Sequence, residues 1–262
     1  MTDKLPLARP VPPLEPLAMV VLEAGRMMLA IEAGAGTIEA IVRMVAGGLG
    51  AERVDLRVGY ASLSVTIGIG GAGITRMRNA THRGVNKRLE QEVWRLARCV
   101  SRGELTLEQT RDALSRLERE VPRHSRWVTA AAVGLACAAF GRLLGVDWPG
   151  TGSVVLASAA AQLLRGELSA RRINSYICAT PVATVSCLLA GLGARWAGST
   201  TVTGAMVAAT LLLVPGVPAV TAQADILDGH PTLGSARVVT VATTLIFMAA
   251  GLWIGDAFLE HW

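Results

Sequence analysis

The chain has 262 residues and a net charge of +5, and 52% of its residues are hydrophobic, which gives a mean hydropathy of +0.45. Its basic residues are interspersed with acidic ones, which argues against a nucleic-acid-binding surface despite a pI near 9.5. Residues 1–126 hold 19 of the 25 lysines and arginines and 14 of the 20 acidic residues, whereas residues 127–262 hold six of each sign. This division excludes a uniformly soluble protein and predicts a soluble domain followed by a membrane domain.

The first 16 residues contain five prolines and charges of both signs, but no continuous apolar stretch. A secretory signal needs such a stretch, so we predict a disordered lead-in over residues 1–16. The four cysteines form no CxxC pair, and the four histidines are scattered along the chain. We therefore expect neither a metal site nor a cofactor.

Residues 17–126 carry the patterns of a small cytoplasmic α+β domain. Apolar residues recur at helical spacing between Leu14 and Gly50, with an interruption at residues 34–36, which predicts two helices. Thr37, followed by Glu39, could serve as the N-cap of the second helix, because a threonine hydroxyl can accept a hydrogen bond from the free N–H groups of a first turn.

Strand and helix patterns complete this domain. Alternating apolar and polar residues predict strands over residues 54–58, 62–67 and 74–80, with the four glycines of residues 68–73 forming a turn. Two amphipathic helices follow, over residues 83–102 and from the capping box at Thr106 to about Glu120, where Pro122 ends the second helix. Because these elements present no nucleophile–base pair and no catalytic carboxylate cluster, we do not expect an enzyme.

Residues 127–262 are predicted to form a five-span transmembrane domain. A span needs about 20 apolar residues, and the second segment is short by that measure. It is rich in small residues, so it is expected to lie buried among other helices or to be re-entrant. A stripe of small residues in the first segment, formed by Gly134, Ala138 and Gly141, could serve contacts with a partner or a second copy. The five segments cover about 127–146, 151–164, 174–194, 200–222 and 238–259.

Arginines are distributed unequally between the loops of these five spans. The lead-in to the first span and the loops at 165–174 and 223–237 carry seven arginines, whereas the opposite loops carry only Arg195. By the positive-inside rule, this predicts a multi-pass protein of the bacterial inner membrane with a cytoplasmic N-terminus and an external C-terminus.

The fourth segment is interrupted by the sequence Pro215-Gly216-Val-Pro218. Two prolines remove two backbone donors and break a helix. In hydrocarbon, the freed backbone groups must be satisfied by protein or by water in a cavity, so a broken helix indicates a binding site or path. An ordinary proline kink is the alternative. Asp225 and Asp228 follow directly and favour a site, although Asp228-Gly229 is also a common turn sequence.

Other polar groups are candidates for the same path. Arg142 lies near the end of the first span, where it either extends its charge to the interface or faces an anionic substrate. Asn174 and Thr210 either line a polar path or bond to neighbouring helices. Arg237, together with Arg171 and Arg172, could attract a carboxylate.

Several of these motifs resemble the threonine/serine exporter family. They are the segments 211–218, 224–225 and 229–230, the segment 234–237, His82-Arg83-Gly84-Val85-Asn86, and Arg126-Trp127 followed by Val133-Gly134-Leu135. The resemblance runs from about Ala24 to Leu259 and is closest to the large subunit of the split, two-polypeptide members, whose known type exports succinate.

The resemblance implies a cytoplasmic domain, five spans and export of small hydrophilic metabolites, either a dicarboxylate such as succinate or threonine and serine. Single-chain family members carry a second membrane module, and the resemblance finds no counterpart of it in residues 1–262 of this chain. It therefore implies a small, multi-span partner subunit in the same bilayer, and it leaves homo-oligomers open. We expect alternating access driven by a proton or substrate gradient, with Asp225 or Asp228 carrying a proton or gating the inner mouth.

Two further functions compete with export. A membrane-anchored sensor or assembly subunit would depend on its soluble domain and tolerate changes at Pro215 and Asp225. An intramembrane enzyme would need paired catalytic groups at depth, but the sequence has neither a GxGD nor an HExxH motif. No Walker motif is present either, so this chain should not use ATP directly.

Overall fold

A computed structural model describes residues 13–81, 84–120, 125–171 and 173–260. The predicted lead-in up to residue 12, Pro122 and Arg172 lie outside the described residues. Contacts divide the chain into two compact units, Met1–Pro122 with Val217–Arg237 (unit 1), and Arg123–Gly216 with Val238–Trp262 (unit 2). The elements are α1 (Leu14–Ala30), α2 (Ala35–Gly48), β1 (Arg53–Val58), β2 (Ser62–Ile69), β3 (Ala72–Asn79), α3 (Lys87–Ser101), α4 (Leu107–Glu120), α5 (Arg126–Leu143), α6 (Trp148–Ala170), α7 (Ser175–Trp196), α8 (Val202–Thr210), α9 (Gly216–Leu227) and α10 (Pro231–Glu260).

Unit 1 is built around α1, which is buried along most of its length. The three strands form an antiparallel sheet in the order β1-β2-β3, and alternate residues of β2 are buried against the helices. Gly70 and Gly71 both have positive φ and make the turn between β2 and β3, because glycine adopts that conformation without a steric penalty. The predicted α+β pattern and hairpin turn are therefore present.

The helix starts in unit 1 differ in part from the sequence prediction. The capping box at the start of α4 is confirmed: Thr106 N–H donates to Gln109 Oε1 at 2.9 Å, and Gln109 N–H donates to Thr106 Oγ1 at 3.3 Å. Helix α3 begins later than predicted, where the Asn86 side chain accepts the Leu89 N–H. The prediction of Thr37 as an N-cap was wrong, since α2 begins at Ala35 after Gly34 and takes its acceptor from a distant carboxylate.

The contact between α2 and α3 leads to a first testable prediction. A Cβ added at Gly48 would overlap the carbonyl group of Val100 and lie 2.8 Å from the Cα of Ser101, whereas a Cβ at Gly47 meets nothing within 4 Å. We expect Gly48→Ala to destabilise the protein by about 1–3 kcal/mol because backbone cannot yield as a flexible side chain does. Gly47→Ala is the matched control and should be neutral or slightly stabilising. Thermal melting of the two variants checks this, and equal melting points would contradict it.

Unit 2 contains α5 to α8 and most of α10. The second apolar segment lies in α6, which has 23 residues and a length of about 34 Å. The expectation that this segment is short therefore holds only for its apolar part. Small residues bring these helices together: Gly134 of α5 packs on the backbone of Val155, and Gly141 packs on Ala208. The small-residue stripe of the first segment is thus used inside the chain.

Helix α10 packs on α7 through small residues and hydroxyl groups. Thr180 donates to the Phe247 carbonyl and Thr184 donates to the Gly251 carbonyl, both at 3.0 Å. A Cβ at Gly251 would lie 2.7 Å from that of Ala183, so the helices approach closely there. These contacts are typical of helices that associate within a bilayer.

By length and apolar composition, two helices in the described part of the chain could each cross a membrane, α7 and α10. Residues 202–213 and α9 form a bent pair that counts as a third when taken as one broken span. The structure is mainly helical with one small sheet, and these helices are consistent with a membrane protein. The number of five spans stays a prediction.

Candidate functional site

The predicted helix break is present between α8 and α9. Helix α8 ends at Thr210, a 3-10 turn covers Leu211–Leu213, and Val214 is extended before Pro215. Helix α9 then begins at Gly216. The 3-10 turn pairs some of the carbonyls at the end of α8, since Leu211 N–H donates to Ala208 O and Val214 N–H donates to Leu211 O at 3.1 Å. The remaining carbonyls need hydrogen-bond donors from elsewhere.

Side chains satisfy the carbonyls around this break. Ala209 O accepts hydrogen bonds from Ser186 Oγ at 2.7 Å and from Ser158 Oγ at 3.3 Å. Leu212 O accepts one from Arg165 Nη1 at 3.2 Å, and Thr210 Oγ1 donates to Val207 O at 2.8 Å. Both serines are fully buried. The protein itself therefore pairs these freed groups, as a helix interrupted in hydrocarbon requires.

The residues of the break, up to Gly216, belong to unit 2. Ser158 comes ten residues after Trp148, the first residue of α6, which places it about 15 Å along a helix of about 34 Å. Arg165 comes about 10 Å further along the same helix. The contact between Ser158 and Ala209 is consequently near the middle of α6, whereas Arg165, which is exposed, bonds to Leu212 closer to the C-terminal end of that helix.

Asp147 joins two loops at one end of unit 2. Its carboxylate caps α6 by accepting the Gly150 N–H at 2.8 Å, and it also accepts the Ser199 hydroxyl at 2.6 Å and the Thr200 N–H at 2.7 Å. The hydrogen bond from Ser199 lowers the pKa of Asp147 well below its usual range. The loop between α5 and α6 and the loop between α7 and α8 therefore lie at the same end.

Arg142 belongs to the same end of unit 2. It lies in the last turn of α5, exposed, where its guanidinium donates to the Val146 carbonyl and lies 4.4 Å from the centroid of the Trp148 ring. This cation–π contact and the loop carbonyl hold the charge at the helix end, as expected for an arginine that extends to an interface.

Unit 1 contains a buried ion pair between Asp225 of α9 and Arg237 of α10, 1% and 4% exposed. The second carboxylate oxygen of Asp225 accepts the Ala35 N–H at 2.7 Å, at the N-terminus of α2. The second terminal nitrogen of Arg237 donates to Ala33 O at 2.7 Å. We call these four residues the latch, because they fasten the α9–α10 hairpin to the turn between α1 and α2.

The hairpin turn itself is stabilised locally. Gly229 has a φ of 86°, and His230 N–H donates to Asp225 O at 2.7 Å. Glycine suits this conformation, so the turn chemistry expected at Asp228-Gly229 is present. Asp228 is exposed at the turn. A Cβ at Gly234 would lie 2.8 Å from Ala222 O, which shows how closely α9 and α10 approach.

A comparison with known families matches residues 19–259 to the family described as "Putative threonine/serine exporter". The chain belongs to the threonine/serine exporter family. The match covers both compact units, including the helix break and the latch.

Two curated relatives of this exporter chain carry the same name, "Probable succinate transporter subunit YjjP". The protein from Klebsiella aerogenes is 32% identical over 224 residues, covering 82% of this chain and 86% of the relative. The protein from Escherichia coli strain K12 is 30% identical over 242 residues, covering 88% and 93%. No solved structure matches the chain. The family and the relatives are transporters and not enzymes, and the chain is a subunit of a membrane exporter.

The structure divides the predicted site residues of this exporter subunit between the two units. Asp225, Asp228, Gly229 and Arg237 belong to unit 1, and Arg237 bonds to Asp225 and Ala33, while Arg171 pairs with Glu167. Thr210 is at the break, but Asn174 is exposed and caps α7 by accepting the Tyr176 N–H at 2.9 Å. Pro215 and Gly216 form the break, and Pro218 lies in the first turn of α9.

Sequence reasoning missed Ser158 and Arg165. Both lie in α6, a helix otherwise rich in alanine, leucine and glycine around them. A serine in an apolar helix is a weak signal, because its hydroxyl can bond to its own helix as Ser153 does. Only the packing of α6 on α8 reveals which serine reaches the break.

Proposed function

We propose that this chain is the larger subunit of a secondary exporter for small carboxylates, acting with a second membrane subunit in the bacterial inner membrane. The relatives' name supports a dicarboxylate such as succinate, and the family description keeps threonine and serine as the alternative. All three carry a carboxylate on a small, hydrophilic molecule.

The helix break is the observation that carries this proposal. A broken helix whose carbonyls are paired by side chains at depth offers polar groups in an apolar bundle, which is how transporters build substrate sites. Ser158, Ser186 and Arg165 supply hydroxyl and guanidinium donors beside the break. Guanidinium groups are well suited to carboxylates. A substrate carboxylate that replaces one of the backbone carbonyls as acceptor would receive a hydrogen bond from the same hydroxyl or guanidinium group.

The latch is proposed to couple this path to the cytoplasmic side. Helix α9 runs from the break at Gly216 to Asp225, so movement of the latch is transmitted along one short helix. Protonation of Asp225 would remove its charge, weaken its bond with Arg237 and free α9 from the α1–α2 turn. Alternating access driven by a proton or substrate gradient follows from such a switch. Asp228 is the second, exposed candidate.

A partner subunit is supported by the relatives being named as subunits. Helix α10 adds a structural reason, because Val239, Ile246 and Trp253 repeat every seven residues and all are exposed. Such a stripe lies on one helix face, and lipid or a second apolar subunit would cover it. We propose that the partner is a small, multi-span protein that supplies the remaining membrane module.

Efflux from cells tests the exporter and its partner together. Cells lacking their own succinate exporters are loaded with labelled succinate, and they express this chain alone, a candidate small multi-span partner subunit alone, or both. We expect efflux above background only with both subunits. Full efflux from cells containing this chain alone would contradict the need for a partner, and no efflux of succinate, threonine or serine with both would contradict the exporter.

Topology tags test the proposed five spans. Five spans place the ends on opposite sides, with the N-terminus cytoplasmic because most loop arginines then face the cytoplasm. The Asp147 loop would face outside. We expect a reporter at Met1 to be active inside and one at Trp262 to be active outside. Both ends on one side would contradict the five-span arrangement.

A further inference from the structure

In the described part of the chain, the sheet of unit 1 ends at β1 on one side and at β3 on the other. An edge strand presents backbone N–H and C=O groups that can pair with another chain. The charges of the two edges differ. β3 carries Arg76 and Arg78, and both are paired with glutamates of α1. β1 carries Arg53, Asp55 and Arg57, which alternate in sign along the strand. Only β1 therefore offers both signs of charge to a neighbour.

The hydrogen bonds of the β1–β2 hairpin show which backbone groups of β1 face outwards. Gly59 N–H donates to Ser62 O at 2.8 Å, and these residues are opposite each other in the register that pairs Val58 with Leu63. Hydrogen-bonded and non-hydrogen-bonded pairs alternate in an antiparallel ladder, so the odd-numbered residues of β1 bond to β2. The backbone groups of the even-numbered residues point away from β2, and the described residues outside the sheet make no hydrogen bond to them. These residues are Val54, Leu56 and Val58.

The side chains of β1 also leave this edge incomplete. The even-numbered residues of β1 face the helices, yet all of them remain partly exposed. On the same face of β2, Leu63 is 1% exposed and Val65 is fully buried. On the opposite face, Arg53, Asp55 and Arg57 are exposed, and among the described residues they have no hydrogen-bond or ion-pair partner. A partly covered core face and unpaired charges suit the addition of a further strand.

A second copy of β1 fits this edge in the antiparallel register centred on Leu56, which pairs residues 54–58 throughout. Val54 then lies opposite Val58, and the even-numbered residues form hydrogen-bonded pairs, as their outward groups require. Asp55 lies opposite Arg57 in the closer, non-hydrogen-bonded pairs on each side of the two-fold axis, where opposite charges stabilise a sheet. The two neighbouring registers with the same hydrogen-bond pattern bring Asp55 opposite Asp55 or Arg57 opposite Arg57, and like charges disfavour both.

We propose that two copies of this chain associate through β1 and join their sheets into one continuous sheet across a two-fold axis. The occupant of the edge is a second copy because β1 is complementary to itself in charge when it runs antiparallel. The contact uses only residues of unit 1. It goes beyond the proposed function, since it concerns a second copy of the same subunit and not the partner subunit.

Disulfide cross-linking of the full chain in isolated cell membranes tests the register. In a chain whose four cysteines are replaced by alanine, Leu56→Cys should form a covalent dimer on oxidation, because the two Cα atoms of a hydrogen-bonded pair are about 5.5 Å apart. Val58→Cys is the matched control on the same strand and face, since its two copies would be about 14 Å apart. We expect about tenfold more dimer from Leu56→Cys, because a disulfide does not span the longer distance.

Charge reversal tests the same pairing at exposed positions, where folding is not at risk. Asp55→Arg places arginines opposite each other in both symmetric pairs, and it should weaken dimerisation about tenfold or more. Asp55→Arg combined with Arg57→Asp exchanges the two charges and should restore the wild-type dimer. Energy transfer between two differently labelled copies in membranes measures dimerisation of each variant.

Three results would overturn the proposal: equal dimer from Leu56→Cys and Val58→Cys, cross-linking of Leu56→Cys to another protein in place of a second copy, or equal dimerisation of Asp55→Arg and the variant with both charges exchanged. The experiments read association of the chain with itself and do not read efflux. Failure of this proposal is therefore distinguishable from failure of the exporter.

Discussion

Asp225→Asn should destabilise the protein by about 3–5 kcal/mol and abolish export, which is a larger effect than expected for a polar residue near a turn. Asparagine keeps an oxygen for the Ala35 N–H but leaves the guanidinium of Arg237 buried without a counter-charge. An exposed turn aspartate would tolerate this change, since asparagine serves turns equally well. Thermal melting in detergent and efflux with the partner subunit measure the two effects.

Asp228→Asn is the matched control for this variant. It makes the same chemical change three residues away, at an exposed position. Its free energy of unfolding should be within about 0.5 kcal/mol of that of the wild type. The double variant Asp225→Asn with Arg237→Gln should recover part of the loss, because it removes the uncompensated charge. If Asp225→Asn melts at the same temperature as the wild type and exports at the same rate, the proposed role of the latch is contradicted.

The pH dependence of efflux separates a coupling role from a purely structural one. If Asp225 carries the coupling proton, Asp225→Asn stabilised by Arg237→Gln should lose efflux driven by an imposed pH gradient but keep exchange of labelled for unlabelled substrate. If the latch is only structural, the rescued double variant should respond to the gradient as the wild type does.

Removing both hydroxyls at the break should reduce export by about tenfold or more. Ser158→Ala with Ser186→Ala leaves Ala209 O without its two donors, and an unpaired buried carbonyl costs about 1–3 kcal/mol. Because either hydroxyl can serve the same oxygen, the losses should be more than additive. Ser186→Ala alone should reduce export more than Ser158→Ala alone, since the hydrogen bond of Ser186 to Ala209 O is the shorter of the two.

Ser153→Ala is the control for these serines. Ser153 is buried in the same helix as Ser158, but its hydroxyl bonds to Gly150 O of that helix. Its replacement should leave efflux unchanged. Efflux rates are compared at equal surface expression, and wild-type efflux from the double serine variant would show that the break does not depend on these hydroxyls.

Pro215→Ala tests whether export depends on the break in the backbone. Alanine restores a backbone donor, which favours a straighter helix and should lower export while the protein still inserts. A Cβ at Gly216 meets nothing within 4 Å among the described residues. Gly216→Ala should therefore fit without a clash, so that any loss of export by this variant would come from substrate or partner.

Local patterns predicted much of the fold. The strands followed from alternation, the α4 start from its capping box, and the break from Pro215 and Pro218, since each depends on residues close together in the chain. The start of α2 could not be predicted this way. Its acceptor is Asp225, 190 residues away, and no local pattern carries that information.

The site was predictable to a similar extent. Sequence alone indicated the break and the nearby aspartates, but not that Asp225 is buried against Arg237. The pairing of Ser158 and Ser186 with one carbonyl depends on how α6, α7 and α8 pack. Small residues recur along these helices, so the sequence alone does not determine which helix faces meet. Asn174 is a polar residue beside an apolar segment, a pattern shared by path residues and helix caps, and only the start of α7 reveals that it caps that helix.

Cysteine labelling at Gly216 tests most directly whether the broken helix lines the substrate path. In a chain whose four cysteines are replaced by alanine, Gly216→Cys fits without a clash, and Gly47→Cys in unit 1 is an equally open control. With the partner subunit present, a water-soluble maleimide should label both positions. Succinate, or threonine if that is the substrate, should slow labelling at Gly216→Cys only. Labelling of Gly216→Cys that no transported substrate slows, or no labelling there at all, would contradict a substrate path at the break.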